Sequence, residues 1–327
     1  MERLLITLIL VCTMNNITNA QNPFYGQYHT PHEAVPFDRI ETEHYEPAIL
    51  EGIKLQNAEI EAIIQNPEKA DFTNTIEAFE ESGELLDKVV AVFGNMLSAE
   101  TNDDLQELAQ KIMPLLSEHS NNITLNKKLF ARVKEVYNQK ETLQLTEEQK
   151  QLLENAYNSF IRHGANLEGE AREEYRRLTT ELSKLTLTFS ENNLKETNAY
   201  QMLLTKKESL AGLPEIIIEA AAETAKNEEK EGWAFTLHAP SYIPFMTYSD
   251  NRDLRQKLYM AYNTKCTHDN EFNNIDIVKK IANTRMKIAQ LLGYKDYAEY
   301  TLKKRMAENS KSVYKLLNQL LEAYTPT

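Results

Sequence analysis

The chain has 327 residues, 42% of them hydrophobic, and a formal net charge of -13 from 49 acidic against 36 basic side chains. Its length allows one large domain or two ordinary ones with a sizeable core. The excess of carboxylates argues against nucleic acid and against an anionic membrane surface as partners. Only two cysteines occur, Cys12 and Cys266, so no disulfide can form inside a chain that has lost its first segment.

That first segment, "MERLLITLILVCTMNNITNA", has a charged start at Arg3, an apolar run from Leu4 to Met14, and small residues at Thr18 and Ala20. The run is too short for a permanent membrane span. It predicts a secretory signal over residues 1–20, cleavage between Ala20 and Gln21, and a periplasmic or secreted protein. Lipidation at Cys12 is the alternative, weakened by the bulky Val11 before it.

The next stretch, "HTPHEAVP" at residues 29–36, begins like the zinc-protease signature H-E-x-x-H, but Pro36 stands where the second histidine belongs. Two imidazoles four apart on one helical face are what grip the metal, so the signature fails here. His29 and His32 then read as surface histidines, and Thr30-Pro31-His32-Glu33 as a capping box for one short turn. None of His44, His119, His163, His238 and His268 precedes a glutamate either.

Helical periodicity dominates from Thr42 onward. Thr42 is read as the cap of a helix with Tyr45, Ile49, Ile53, Ile60 and Ile64 on its apolar side, ending before Pro67. Asn74 and Glu77 form the next cap pair, for a helix carrying Phe79, Leu86, Val89, Val90, Phe93 and Leu97. A third starts at Asp103 through Leu105, Leu108 and Ile112, with a kink expected at Pro114. "NKKLFARVKEVYNQK" predicts a shorter helix whose lysines form a solvated face. Thr146 to Gln149 make another capping box, for a helix with Leu152, Leu153, Ala156, Tyr157 and Phe160 that Gly164 closes. Residues 166–197 predict one very long helix, with Tyr175, Leu178, Leu182, Leu185 and Phe189 as its stripe.

The pattern breaks at residues 199–206 and 232–239, which read as two short strands, paired with each other, flanking a turn and a helix. Helices resume near Asp250, Ile275, Lys295 and Ser310. The last carries Val313, Leu316, Leu317, Leu320 and Leu321 as an apolar stripe that needs a partner. The fold class is therefore all-α: an array of long antiparallel helices with a minor two-strand element.

Residues able to carry chemistry are few. Cys266 and His268 stand two apart with nothing to complete a triad, so Cys266 reads as a plain unpaired thiol. Arg252 and Arg255 share one helical face and read as ion-pair partners of carboxylates, with a peptide's terminal carboxylate as the functional alternative. Trp233, Tyr242, Tyr248, Tyr259 and Tyr262 read as core or helix-packing aromatics.

Two segments carry a resemblance. "WAFTLHAPSYIPFMTYSDNRDLRQKLYMAYNTK" and "IVKKIANTRMKIAQLLGYKDYAEYTLKKRMA" resemble the thimet oligopeptidase family of zinc metallopeptidases, through Trp233, Pro240, Tyr242, Pro244, Met246, Tyr248, Arg252, Arg255, Leu258-Tyr259, Ala261-Tyr262, Leu291-Leu292-Gly293-Tyr294 and Tyr297-Ala298. "PFDRIETEHYEPAILEGI", from Pro36 to Ile53, looks like the start of the mature family fold. With the export signal, the match favours the bacterial peptidyl-dipeptidase (dipeptidyl carboxypeptidase) branch.

The resemblance implies a two-lobed helical shell around a channel for short peptides, with one zinc held by H-E-x-x-H and a further glutamate. Those ligands belong to the family's C-terminal half, so residues 21–327 are expected to form its N-terminal helical region only. No catalytic or metal-binding residue carries over to this sequence, and its substrate-binding residues are not identified. Zinc is expected in the complete enzyme and none in this chain alone. Its expected partners are short peptides and the missing C-terminal half. A non-catalytic peptide-binding or scaffold protein is the other function such a half-shell allows.

Overall fold

A computed structural model describes residues 22–325; the expected signal, its cleavage site and Cys12 lie outside them. The chain divides into two compact units. The first comprises Met1–Ser183 and Met286–Thr327 so far as these are described, and the second is Lys184–Arg285. The fold is mainly α, with helices α1 (Thr42–Gln65), α2 (Glu84–Ala99), α3 (Asp103–Thr124), α4 (Lys127–Asn138), α5 (Glu147–Arg162) and α6 (Gly169–Ala199). Strand β1 (Gln201–Leu204), helix α7 (Glu215–Asn227) and strand β2 (Trp233–Thr236) follow, then α8 (Ala239–Tyr248), α9 (Arg252–Asn263), α10 (Ile275–Leu291), α11 (Tyr297–Leu302) and α12 (Ser310–Tyr324).

In the first unit, residues Asn22 to Tyr28 lie against α1 and α2 without forming a helix. The Asn22 amide donates to the His44 carbonyl at 2.8 Å and accepts from the Phe24 N–H at 3.0 Å. Phe24 is fully buried against Tyr45, which packs in turn on Phe93. Lys88 Nζ donates to the carbonyls of Gly26 (2.6 Å) and Phe24 (3.2 Å) and sits 4.0 Å over the Tyr28 ring.

The expected turn at Thr30 exists, as a tight turn over Pro31–Glu33, but the capping box does not. His32 and Glu33 take left-handed φ of 59° and 55°, and the Thr30 hydroxyl is shared between the carbonyls of Tyr28 and Ala34. The cap of α1 also falls one residue earlier than the sequence suggested. Glu41 holds it, with its backbone N–H donating to His44 Nδ1 at 2.9 Å.

Helices α1 and α2 meet almost backbone to backbone. A Cβ at Gly52 would stand 2.9 Å from Leu86 Cα, so a side chain there forces the two axes apart. Between them the cap is Asp71, not Asn74. The Asp71 carboxylate accepts from the Asn74 N–H (2.7 Å) and the Asn74 amide oxygen from the Asp71 N–H (3.1 Å). A wide π turn over Phe72–Glu77 then adds one residue per turn, which shifts the apolar register. The helix expected here is also interrupted before α2, at Gly83 with φ of 88°. Arg132 on α4 ties this connection down, donating to the carbonyls of Asn66 (3.0 Å) and Glu68 (3.2 Å) and to Asn74 Oδ1 (3.0 Å).

The Thr146–Gln149 capping box forms as read, at 3.1 and 3.2 Å. Helix α3 runs through Pro114 to Thr124. Ile60, Ile76, Leu129, Val133, Leu153 and Phe160 make the main core of this unit, and Tyr175 and Leu178 of α6 close a smaller one with Leu125 and Ile288. Arg162 of α5 holds α11, donating to the Tyr300 carbonyl at 3.0 Å with its guanidinium 4.2 Å from that ring.

His119 on α3 is only 6% exposed, and burial pushes its imidazole below the ordinary histidine range. The unfolded chain therefore takes up this proton more readily than the folded one. Stability falls as pH drops through about 6.5, the unperturbed histidine value. His119→Gln keeps a donor for its neighbour and is expected to flatten the dependence of the urea midpoint on pH between about 7 and 5. An unchanged slope in the variant counts against this assignment.

In the second unit, β1 and β2 pair antiparallel as read, with Gln201 opposite Thr236 and Leu204 opposite Trp233. Met202, Leu204, Phe235, Phe245 and Leu258 form the core. Gly212 has φ of 85° and its missing Cβ would lie 2.3 Å from the Tyr248 carbonyl oxygen, so no other residue fits without moving α8. Helix α8 itself is not apparent from periodicity. Pro240 and Pro244 stand within it, which disguises a helix in a sequence reading.

Candidate functional site

The candidate site is a surface of the second unit built by α8 and α9. Asn251 caps α9, its Oδ1 accepting from the Leu254 N–H at 3.1 Å. From that start, Arg252, Arg255, Tyr259 and Tyr262 recur at spacings of three and four and so share one helical side. Tyr262 stacks on Tyr242 of α8 at 4.2 Å between centroids, and Lys265 Nζ lies 4.5 Å over the Tyr262 ring. Burial raises the Tyr242 phenol, outweighing a hydrogen bond with Asn263 that lowers it, with Tyr262 and Tyr259 adding to the rise.

Exposure corrects the sequence reading of the aromatics. Trp233 and Tyr242 pack on the core of the unit and Tyr262 packs on Tyr242 across the two helices, as expected, but Tyr248 is 52% and Tyr259 50% exposed. Ile243 and Met260, which sequence reasoning passed over, are also exposed apolar residues on these two helices.

The arginines are corrected too. Neither pairs with a carboxylate among the described residues. Arg255 donates from Nη1 to the Ser249 carbonyl at the end of α8, a structural role. Arg252 is exposed and has no hydrogen-bond or ion-pair partner among the described residues. This surface can stack on apolar or planar groups and offer one free guanidinium to a carboxylate. It holds no acid–base pair and no nucleophile.

The remaining candidates do not assemble elsewhere. His29 and His32 are exposed, and among the described residues no group of three or more His, Cys, Asp or Glu side chains is placed to hold a metal ion. Cys266 is buried, and desolvation, with Glu196 beside it, pushes its thiol up to about 11. It is protonated at neutral pH and is a poor nucleophile. His268 turns to Glu196, 3.9 Å away, and to the Thr264 hydroxyl at 3.2 Å.

On the other unit, α12 has no buried residue, and Leu316, Leu317, Leu320 and Leu321 are all exposed. The stripe read from sequence is present and uncovered among the described residues.

Helices α8 and α9 thus present an aromatic, arginine-bearing surface, and among the described residues no group of donor side chains is placed to hold a metal ion. Residues 245–327 match the model for Peptidase family M3. The chain is 34% identical over 303 residues to the dipeptidyl carboxypeptidase of Escherichia coli, covering 92% of this chain and 44% of that protein. It is 30% identical over 309 residues to oligopeptidase A of Salmonella typhimurium, covering 93% and 45%. To oligopeptidase A of Haemophilus influenzae it is 32% identical over 295 residues, covering 89% and 43%. The chain is thus related to peptidase family M3 along nearly its whole length, and it spans less than half the length of these relatives.

Proposed function

We propose that this chain is the N-terminal portion of a zinc-dependent peptidyl-dipeptidase or oligopeptidase that acts on short peptides, releasing C-terminal dipeptides. One observation carries the reading: similarity covers 92% of this chain but only 44% of the E. coli dipeptidyl carboxypeptidase. The uncovered leucines of α12 support it, since an apolar stripe of that length is costly in water and the C-terminal half is its natural cover. The dipeptidase branch is preferred because the dipeptidyl carboxypeptidases of E. coli and S. typhimurium match at 34% and 33%, against 30% and 32% for oligopeptidase A of S. typhimurium and of H. influenzae.

The described residues do not fit a zinc ion, so in this reading the ligands and the general base come from sequence beyond Thr327. The surface of Arg252, Tyr259 and Tyr262 then serves contact with the peptide or with that second half. The protein is exported, with its mature N-terminus at Gln21 and a periplasmic or secreted location; mass spectrometry of that terminus tests this, and a diacylated Cys12 overturns it. For the enzymatic reading the decisive test is the nucleotide sequence downstream of Thr327. An H-E-x-x-H in the same or an adjacent frame supports it. A genuine stop followed by unrelated sequence overturns it and leaves a non-catalytic peptide-binding protein.

A further inference from the structure

The connection between α11 and α12 carries three consecutive basic residues, Lys303, Lys304 and Arg305, and all three are exposed. None has an ion-pair or side-chain hydrogen-bond partner among the described residues. Met306, which follows them, is fully exposed. The backbone here bonds only to its near neighbours: the N–H groups of Lys303, Lys304 and Arg305 donate to the carbonyls of Glu299, Thr301 and Leu302 at 3.2, 3.3 and 2.9 Å. Glu308 takes a left-handed φ of 58°, which a residue with a Cβ adopts at a cost.

Nothing packs this turn down. From Thr301 to Thr325 no described residue is buried. Helix α12 has 15 residues, a length that is marginal for a helix in water without a packed face. An endopeptidase takes its substrate as an extended strand, so a turn must open before it is cut. Opening this one breaks a few local hydrogen bonds and uncovers no core. Basic residues in other loops are held more firmly. Lys140 donates to the Tyr137 hydroxyl and to Glu154. Lys230 donates to Gln201 and Glu228, beside the paired strand β2. Lys206 and Lys207 lie between Leu204 and Leu210, both buried.

We propose that the connection between α11 and α12 is a processing site for a trypsin-class endopeptidase, one whose specificity pocket holds a carboxylate for a basic side chain. Water adds across the Arg305–Met306 amide, leaving a carboxylate on Arg305 and an amine on Met306. The cut removes α12 with its uncovered leucines and leaves the cores of both units intact. The inference stands on residues of this chain alone and does not depend on the peptidase reading.

The test is brief digestion of the purified full chain with a trace of trypsin, followed by mass spectrometry. The earliest product is expected to end at Lys303, Lys304 or Arg305. It is expected to keep its helical circular dichroism and the urea midpoint of the parent. Replacing all three (Lys303→Gln, Lys304→Gln, Arg305→Gln), at exposed positions, is expected to abolish that product while the midpoint stays unchanged. A first cut anywhere else in the chain, or a product that unfolds once cut, overturns the proposal.

Discussion

Purified by itself, the chain is expected to hold no stoichiometric zinc and to release no C-terminal dipeptide from short peptides. A catalytic zinc needs about three protein ligands and an open position for water. Its chemistry lies in lowering the pKa of that water and in stabilising charge in the transition state. Among the described residues no trio of donor side chains converges, and the Cys266 thiol stays protonated. Elemental analysis and a dipeptide-release assay measure both halves of the expectation. Joined to a downstream segment carrying H-E-x-x-H, the same residues are expected to gain metal and activity together. Full occupancy with turnover in the isolated chain removes the proposal that its reaction centre lies elsewhere.

The second large effect is on stability. Phe235→Ala is expected to cost about 3–5 kcal/mol, the usual range for deleting a buried phenyl ring. Phe235 and Phe245 are both fully buried and meet edge to face at 4.6 Å between centroids. They link β2 to α8 in a core of few residues, where little can collapse into the gap. That cost is a large fraction of the 5–15 kcal/mol that holds a typical domain. Limited proteolysis of residues 184–285 and urea unfolding followed at Trp233 read the effect. A midpoint unchanged from the parent chain shows that this core is not what holds the unit.

The sequence displayed most of the helices because a buried stripe repeats at 3.6 residues wherever one face meets a core. Leu153, Ala156 and Phe160 of α5 are buried as their spacing implied. Strands β1 and β2 were visible as interruptions, and their pairing followed from having no other strand to pair with. The misses have local causes. At Asp71 a π turn slid the register, and at α8 two prolines hid a helix whose packing tolerates them. The candidate surface was the least legible part. Helical spacing shows that Tyr259 and Tyr262 share a side of α9, but not whether that side meets protein or water. Leu258 is buried and Tyr259, next to it, is half exposed, a difference that only tertiary packing decides.

The contacts of residues Asn22 to Tyr28 bear on the time scale of opening. A segment without helix or strand ordinarily exchanges its amide protons as fast as a frayed end. Here the Phe24 amide is bonded to Asn22, the Phe24 ring is sealed beneath Tyr45, and Lys88 grips two carbonyls from α2. To release the Phe24 amide, the cluster of Tyr45 and Phe93 must come apart, which means separating α1 from α2. In hydrogen exchange this strap is expected to open in the same cooperative unit as those two helices. A slowly exchanging Phe24 amide is then the expected marker for the opening of the helix pair, although it lies in neither helix.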